Sequence, residues 1–269
     1  MAERRKLMII GAHPDDCEHS SGGFAALCAQ EGWQVHFCAV TNGDAGHHEM
    51  RPKPLAARRL KEARKAAGRI GATYETLGEH DGRLFVNDTS TRKVVCAIRR
   101  FSPDVLVAPR QFGYHRDHRN AGQLVLDASF VLQVPLVYPK VKPMVRMPII
   151  LYACDFFSEV SPFRPHLVID TTKVEDVRIR MLRDHFCQYS EWIPWLNGRK
   201  ECGQKHPLTN PEELTAMLRR HPRGTAKAFA KELGLKYRHR RKIVAAEAFQ
   251  LSEVGTRVST LELARLFPF

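Results

Sequence analysis

Short apolar runs that end in clusters of polar residues constrain this chain more than any other feature. Leu7-Met8-Ile9-Ile10, bounded by Gly11, runs into His13-Pro14-Asp15-Asp16. Val105-Leu106-Val107-Ala108 leads to Tyr114-His115-Arg116-Asp117-His118. Between them, the run over 33–40 stops at Thr41-Asn42-Gly43-Asp44-Ala45-Gly46, and that over 73–77 at Gly78-Glu79-His80-Asp81-Gly82-Arg83-Leu84. Uninterrupted apolar runs of about four to eight residues mark strands buried on both faces. Helical patterns over 24–31, 55–70 and 94–101 separate them, and strand–helix–strand units of this length make parallel crossovers. The expectation is an α/β protein with an open, doubly wound sheet. Its polar loops then gather at the carboxyl edge, where such sheets hold their sites.

The remaining pattern predicts a helix over 120–133, a Pro-rich loop over 135–148, and strands over 149–152 and 167–170. A helix over 172–186 follows, then an irregular region over 191–211 that would contribute to a substrate wall. A basic helix from Arg219 to Lys242 and a last strand over 242–251, carrying Glu247, complete it. No internal repeat or linker interrupts the chain, so one domain over 1–269 is expected.

The two clusters carry chemistry. His13 and Asp16 offer one nitrogen and one oxygen to a divalent ion, a pairing that suits zinc with an open coordination position. Asp15, between them, is free to act on water. The same turn would also serve to cap a following helix, with either carboxylate accepting backbone N–H bonds. The second cluster weighs against capping alone, because its two histidines supply the third ligand that a catalytic zinc requires. His47 and His48, on a loop with Pro52 and Pro54, are left outside the metal shell.

Composition removes several classes. No apolar stretch is long enough for a membrane span, and the start of the chain carries no signal-peptide pattern, so a cytoplasmic protein is expected. Seven scattered cysteines without a Cys-x-x-Cys pair imply free thiols. A net charge of +13 raises nucleic-acid binding. Much of that excess lies in residues 219–242, where basic residues alternate with Ala226, Phe229, Ala230 and Leu233 at helical spacing, as on a solvated helix face. No aromatic platform or zinc knuckle accompanies it.

Together these residues resemble the LmbE / PIG-L-like zinc-dependent N-acetylglucosaminyl deacetylases, the family that includes enzymes of mycothiol and bacillithiol synthesis. The resemblance rests on Ala12-His13-Pro14-Asp15-Asp16-x-Glu18 with Gly22-Gly23, and on His115-x-Asp117-His118. Thr41-x-Gly43-Asp44, Arg59-x-x-Glu62-Ala63, Asp81-Gly82-Arg83-Leu84 and Ala246-Glu247-Ala248-Phe249 support it. It implies a Rossmann-like, mostly parallel twisted sheet with helices on both faces, and a metal-dependent hydrolase. Zinc, or another divalent ion, would be held by His13, Asp16 and His118. Asp15 would be the general base, His115 the group that polarises the amide carbonyl, Asp117 the partner orienting His115, and Arg59 a substrate-binding residue. The implied partner is a small N-acetyl sugar conjugate, and many members form homo-oligomers. Arg116 stands where the family usually has proline, and Ser20-Ser21 precede the paired glycines. The alternatives are another amide or ester hydrolysis on the same site, or a metal- or nucleic-acid-binding protein without turnover.

Overall fold

The computed structural model describes residues 4–237 and 242–269. The apolar runs become β1 (Lys6–Gly11), β2 (Gln34–Thr41), β3 (Thr73–Glu79), β4 (Val105–Ala108), β5 (Ile149–Ala153), β6 (Leu167–Asp170) and β7 (Ala246–Leu251). They form one sheet in the order β3-β2-β1-β4-β5-β7-β6. The first five strands run parallel, and β7 lies antiparallel between β5 and β6. Strand order reverses between β1 and β4, so the crevice at their carboxyl ends is the switch point of the fold.

Two apolar layers enclose the sheet. Leu7, Ile9, Phe37, Val105, Val107 and Phe249 face Phe24, Ala63 and Ala66 on one side. Met8, Ile10, Val40, Leu106 and Ala108 face Val94, Ile98, Leu124 and Val125 on the other. Every one of these is essentially inaccessible to water. Alternate residues of β1 thus feed opposite layers, which is why its sequence is apolar throughout.

The helices are α1 (Asp16–Gln30), α2 (Pro52–Gly68), α3 (Asp88–Phe101), α4 (Arg116–Val131), α5 (Glu175–Asp184), α6 (Ile193–Leu196), α7 (Pro211–Ala228), α8 (Ala230–Lys236) and α9 (Thr260–Leu266). Helix α1 begins directly at the His-Pro-Asp-Asp turn and breaks at Ser21, whose backbone is non-helical. The break frees the N–H groups of Gly23 and Phe24, which donate to the Glu247 carboxylate at 2.8 and 2.7 Å. A strand residue thereby caps the second half of a helix more than 220 positions away, the role a local Asp or Ser would otherwise play.

Several boundaries differ from expectation. The helix over 172–186 divides into a 3₁₀ turn, Thr172–Val174, and α5, and is followed by a π-helical segment, Cys187–Trp192. The last strand starts at Ala246 rather than 242, and α9 was not anticipated. The basic 219–242 stretch is divided among α7, α8 and the residues after them, of which 238–241 lie outside the described residues. Arg219 pairs with Glu175 and Asp176, and Arg223 with Glu175, so part of its charge is spent holding α7 on α5. The seven cysteines are all free. No described helix is long and apolar enough to cross a membrane.

Candidate metal centre and its cavity

Four loops meet at the carboxyl edge. The loop after β1 is stitched to the end of β2, because Thr41 N and Oγ1 both donate to Ala12 O at 2.8 Å. Asp44 in the loop after β2 accepts from Asp81 N at 2.9 Å and lies 2.6 Å from His80 Nδ1, both in the loop after β3. Gly82 N and Leu84 N in turn donate to Asp117 at the start of α4. Gly11 allows the closest approach, since a Cβ there would stand 2.5 Å from Asp16 Cβ.

His13, Asp16 and His118 converge. His13 Nδ1 lies 3.2 Å from His118 Nε2 and 3.5 Å from Asp16 Oδ2, and His118 Nε2 lies 3.4 Å from the same oxygen. Two ring nitrogens and a carboxylate oxygen aimed at one point cannot all be satisfied by a single shared proton. Ligands about 2.0–2.1 Å from a tetrahedral zinc stand about 3.3–3.4 Å apart, so the triangle has the dimensions a divalent ion needs. The Asp16 oxygen also accepts Ala12 N and His13 N at 2.9 Å each. Burial opposes ionisation of Asp16, but His118 and His13 outweigh it and hold the carboxyl far below the usual carboxylate range. Nitrogens of His13, His115 and His118 also lie within 4.8 Å of one another.

The next layer sets which atoms face the ion. His13 Nε2 lies 3.3 Å from Asp117 Oδ2 and 3.2 Å from Asp81 Oδ1. Donating its proton to these carboxylates leaves Nδ1 with its lone pair toward the triangle. Asp117 therefore orients His13, not His115 as expected. It is fully buried, and its carboxylate is committed to His13, Gly82 N and Leu84 N. What His115 receives from Asp117 is the backbone N–H, which donates to Nδ1 at 3.1 Å. A neutral His115 then carries its proton on Nε2. Burial, with the charges of His13 and His118, pulls His115 below the ordinary histidine range.

Arg59 also departs from expectation. It is 2% exposed, and its guanidinium is taken up by protein groups. Its Nη2 donates to Asp15 Oδ1 at 2.7 Å and to Pro14 O at 3.2 Å, and Nη1 reaches Gly43 O and Asp81. Gly43, at φ +70°, is what lets the guanidinium lie there, since a Cβ would stand 2.6 Å from Nη1. Asp15 precedes α1 but makes no side-chain cap. The capping reading of the turn thus gives way to a carboxylate held by arginine, with backbone angles of φ 157° and ψ −18° that residues other than glycine seldom adopt. Burial raises Asp15 above the usual carboxylate range, and Arg59 works against that rise.

Residues 8–129, which contain the whole of this centre, match the family model described as PIG-L: GlcNAc-PI de-N-acetylase. That stretch is similar to the PIG-L family, and the rest of the chain lies outside the match. The chain is 27% identical over 203 residues to diacetylchitobiose deacetylase of Thermococcus kodakarensis, covering 71% of this chain and 75% of that protein. It is 24% identical over 200 residues to 4-oxalmesaconate hydratase of Pseudomonas putida, covering 69% and 77%. Among solved structures, the 4-carboxy-2-hydroxymuconate hydratase of Pseudomonas putida superposes with a TM-score of 0.73 at 21% identity, over 95% of this chain and 98% of that one. That likeness shows the fold.

The triangle opens on a cavity of about 410 Å³, within the usual size range of small-molecule sites. Asp15, Asp16 and His118 form one end. The far walls come from residues that the sequence does not single out: Arg110 and Phe112 after β4, Asp155 to Phe157 after β5, Tyr189 in the π-helical segment, and His221 in α7. His19, one turn beyond Asp16, was also passed over. Of the 191–211 region expected as wall, Ile193 lines the cavity. Arg116, the departure from the family pattern, lies with its guanidinium over the Phe85 ring at 4.1 Å and is not part of the lining. His47 Nε2 lies 2.9 Å from Glu191 Oε2, apart from the triangle. Cys17, beside the centre, is buried and donates to Ile9 O, and burial pushes its thiol well above the ordinary range.

Proposed function

We propose that the chain removes the N-acetyl group from an N-acetylglucosamine-type sugar conjugate, with water as the nucleophile and zinc as the metal its donor set suits best. The observation that carries this reading is the triangle of His13, Asp16 and His118 with a second carboxylate, Asp15, in the chain between two of its members. A divalent ion held there supplies Lewis-acid polarisation of a carbonyl and acidifies water.

The protein's own groups do the rest. Asp15 takes the proton of the attacking water, and its raised affinity for protons suits a general base that must later return one to the departing amine. Arg59 holds that carboxylate in place while leaving Oδ2 out of the pair. His115, with Nδ1 occupied by the Asp117 N–H, offers Nε2–H to the oxygen on which negative charge develops. Asp117 and Asp81 keep His13 in the ligating tautomer. Acetate and a free amine leave, and one domain over 1–269 performs the whole reaction.

A second reading, addition of water to a conjugated double bond, is favoured by the hydratase relative. It would use the same ion and base. The two are separated by incubating metal-loaded protein with diacetylchitobiose and, in parallel, an unsaturated dicarboxylate. Deacetylation predicts acetate and primary amine in equal amounts. A product heavier by one water, with no acetate, overturns the proposal. In the Asp15→Asn protein the metal content should persist while turnover falls by about 10²–10⁴-fold, as for loss of a general base.

A further inference from the structure

The part of the cavity beyond the triangle is built largely from residues outside the stretch matched by the family model, apart from His19, Ser20 and the loop after β4. Arg110 is the one lysine or arginine among the described residues that line it, and it is not free. Its Nε and Nη2 make a forked pair with Asp155, Nη1 donates to Ser161 O at 2.8 Å, and Nη2 also reaches Phe157 O at 3.0 Å. A carboxylate or phosphate entering here would find no cation to pair with.

Beyond the triangle, Asp15 and the Arg110–Asp155 pair, what the cavity presents is uncharged. His19 Nδ1 lies 3.2 Å from Tyr189 Oη, and the His19 and His221 rings are 4.8 Å apart. Burial, reinforced by Arg178, pushes His19 down to about 4, and burial with His19 pushes His221 well below the ordinary range. His221 Nδ1 is inaccessible to water and has no hydrogen-bond partner, a cost of about 1–3 kcal/mol that a ligand hydroxyl reached by a small shift of the ring would relieve. Beside them stand flat aromatic faces. Tyr114 and Phe157 stack at 6.1 Å, and Phe156 meets the His221 ring edge-on at 6.3 Å. Tyr114 is 71% exposed and Phe156 56%, so both faces are open to a ligand.

We infer that this region binds a neutral polyhydroxylated group on the sugar conjugate, a second sugar or a cyclitol, between the Tyr114 and Phe156 faces and the His19–His221 wall, and that it excludes an anionic one. The inference rests on the reading of the centre as an N-acetyl sugar site. Hydroxyls meet imidazole nitrogens that can donate or accept, ring C–H faces meet aromatic ones, and an anion would lose its hydration without gaining a partner.

The test pairs two probes of similar size: diacetylchitobiose, which is neutral, and the disaccharide of N-acetylglucosamine and glucuronic acid, which carries a carboxylate. Binding to the metal-loaded Asp15→Asn protein is measured by titration calorimetry, and amine release by the unsubstituted protein. The neutral probe should bind at least about tenfold more tightly, a gap of roughly 1.4 kcal/mol. His221→Gln and Tyr114→Ala should each weaken it about fivefold, with unfolding midpoints checked alongside. His221→Arg should narrow or reverse the preference. Equal or tighter binding of the carboxylate probe, no binding of either, or a preference unmoved by all three substitutions overturns the inference. If the preference holds but no amine is released, the proposed chemistry falls and the binding inference stands. Equal turnover of both probes does the opposite.

Discussion

Arg59 Nη2 lies 2.7 Å from Asp15 Oδ1, and both groups are withdrawn from water, at 2% and 8% exposed. Together they couple α2 to the turn that precedes α1. A charge buried this deeply persists only when paired, so the arginine is what allows an ionised carboxylate beside the triangle. The same guanidinium touches Asp81, which touches His13, so one residue steadies both the proposed base and a proposed ligand.

Removing the arginine should therefore cost more than a surface substitution does. Arg59→Ala leaves the Asp15 charge buried and unpaired and should destabilise the fold by about 3–5 kcal/mol, read as a shifted urea midpoint. Arg59→Lys keeps the charge but loses the second nitrogen that reaches Gly43 O and Asp81, and a misplaced base should lower kcat by up to about 10²-fold while metal content is retained. Unchanged kcat in the lysine protein would detach Arg59 from the positioning of Asp15.

Asp117→Asn tests the support of His13. The amide cannot accept the same set of N–H bonds, so the ligating tautomer is less well held and zinc affinity should weaken about 10–100-fold in a competition with a chromophoric chelator. If Asp117 instead served His115, the affinity would stay level and the change would fall on kcat.

His115→Ala is expected to separate chemistry from metal binding. It should retain the ion, leave KM within a few-fold, and lower kcat by about 10²–10³, the scale of losing one donor to a developing oxyanion. Loss of metal in this protein would move His115 into the ligand set.

Acid should destabilise the metal-free chain through His19. Its folded pKa, about 4, lies below the ordinary histidine value, so the unfolded chain binds the proton more readily. The stability this group contributes is complete above about pH 6.5 and is lost as pH falls from there toward 4. A single group gives at most about 1.4 kcal/mol per pH unit across that window. Urea midpoints measured from pH 7.5 to 4.5 should flatten in His19→Gln, and an identical slope would assign the effect to other groups such as His221.

Much of this protein is legible along the chain. Unbroken apolar runs announce parallel strands buried on both faces, and each ends abruptly in residues that a buried strand cannot hold. His13, Asp15, Asp16, His115 and His118 could be picked out for that reason, since their types and spacing carry their chemistry locally. The break at Ser21 and its cap by Glu247 could not be read so, because capping across more than 220 residues leaves no periodic trace. Nor could the partners of Arg59 and Asp117, whose side chains choose among several loops only once the sheet has brought those loops together. The lining of the cavity is decided the same way: His19, Arg110, Asp155, Tyr189 and His221 are ordinary residues in sequence and acquire meaning from being neighbours in space. Reactive types are written in one dimension, whereas pairing, burial and the charge left over are set by three-dimensional proximity, and those decide what the cavity will admit.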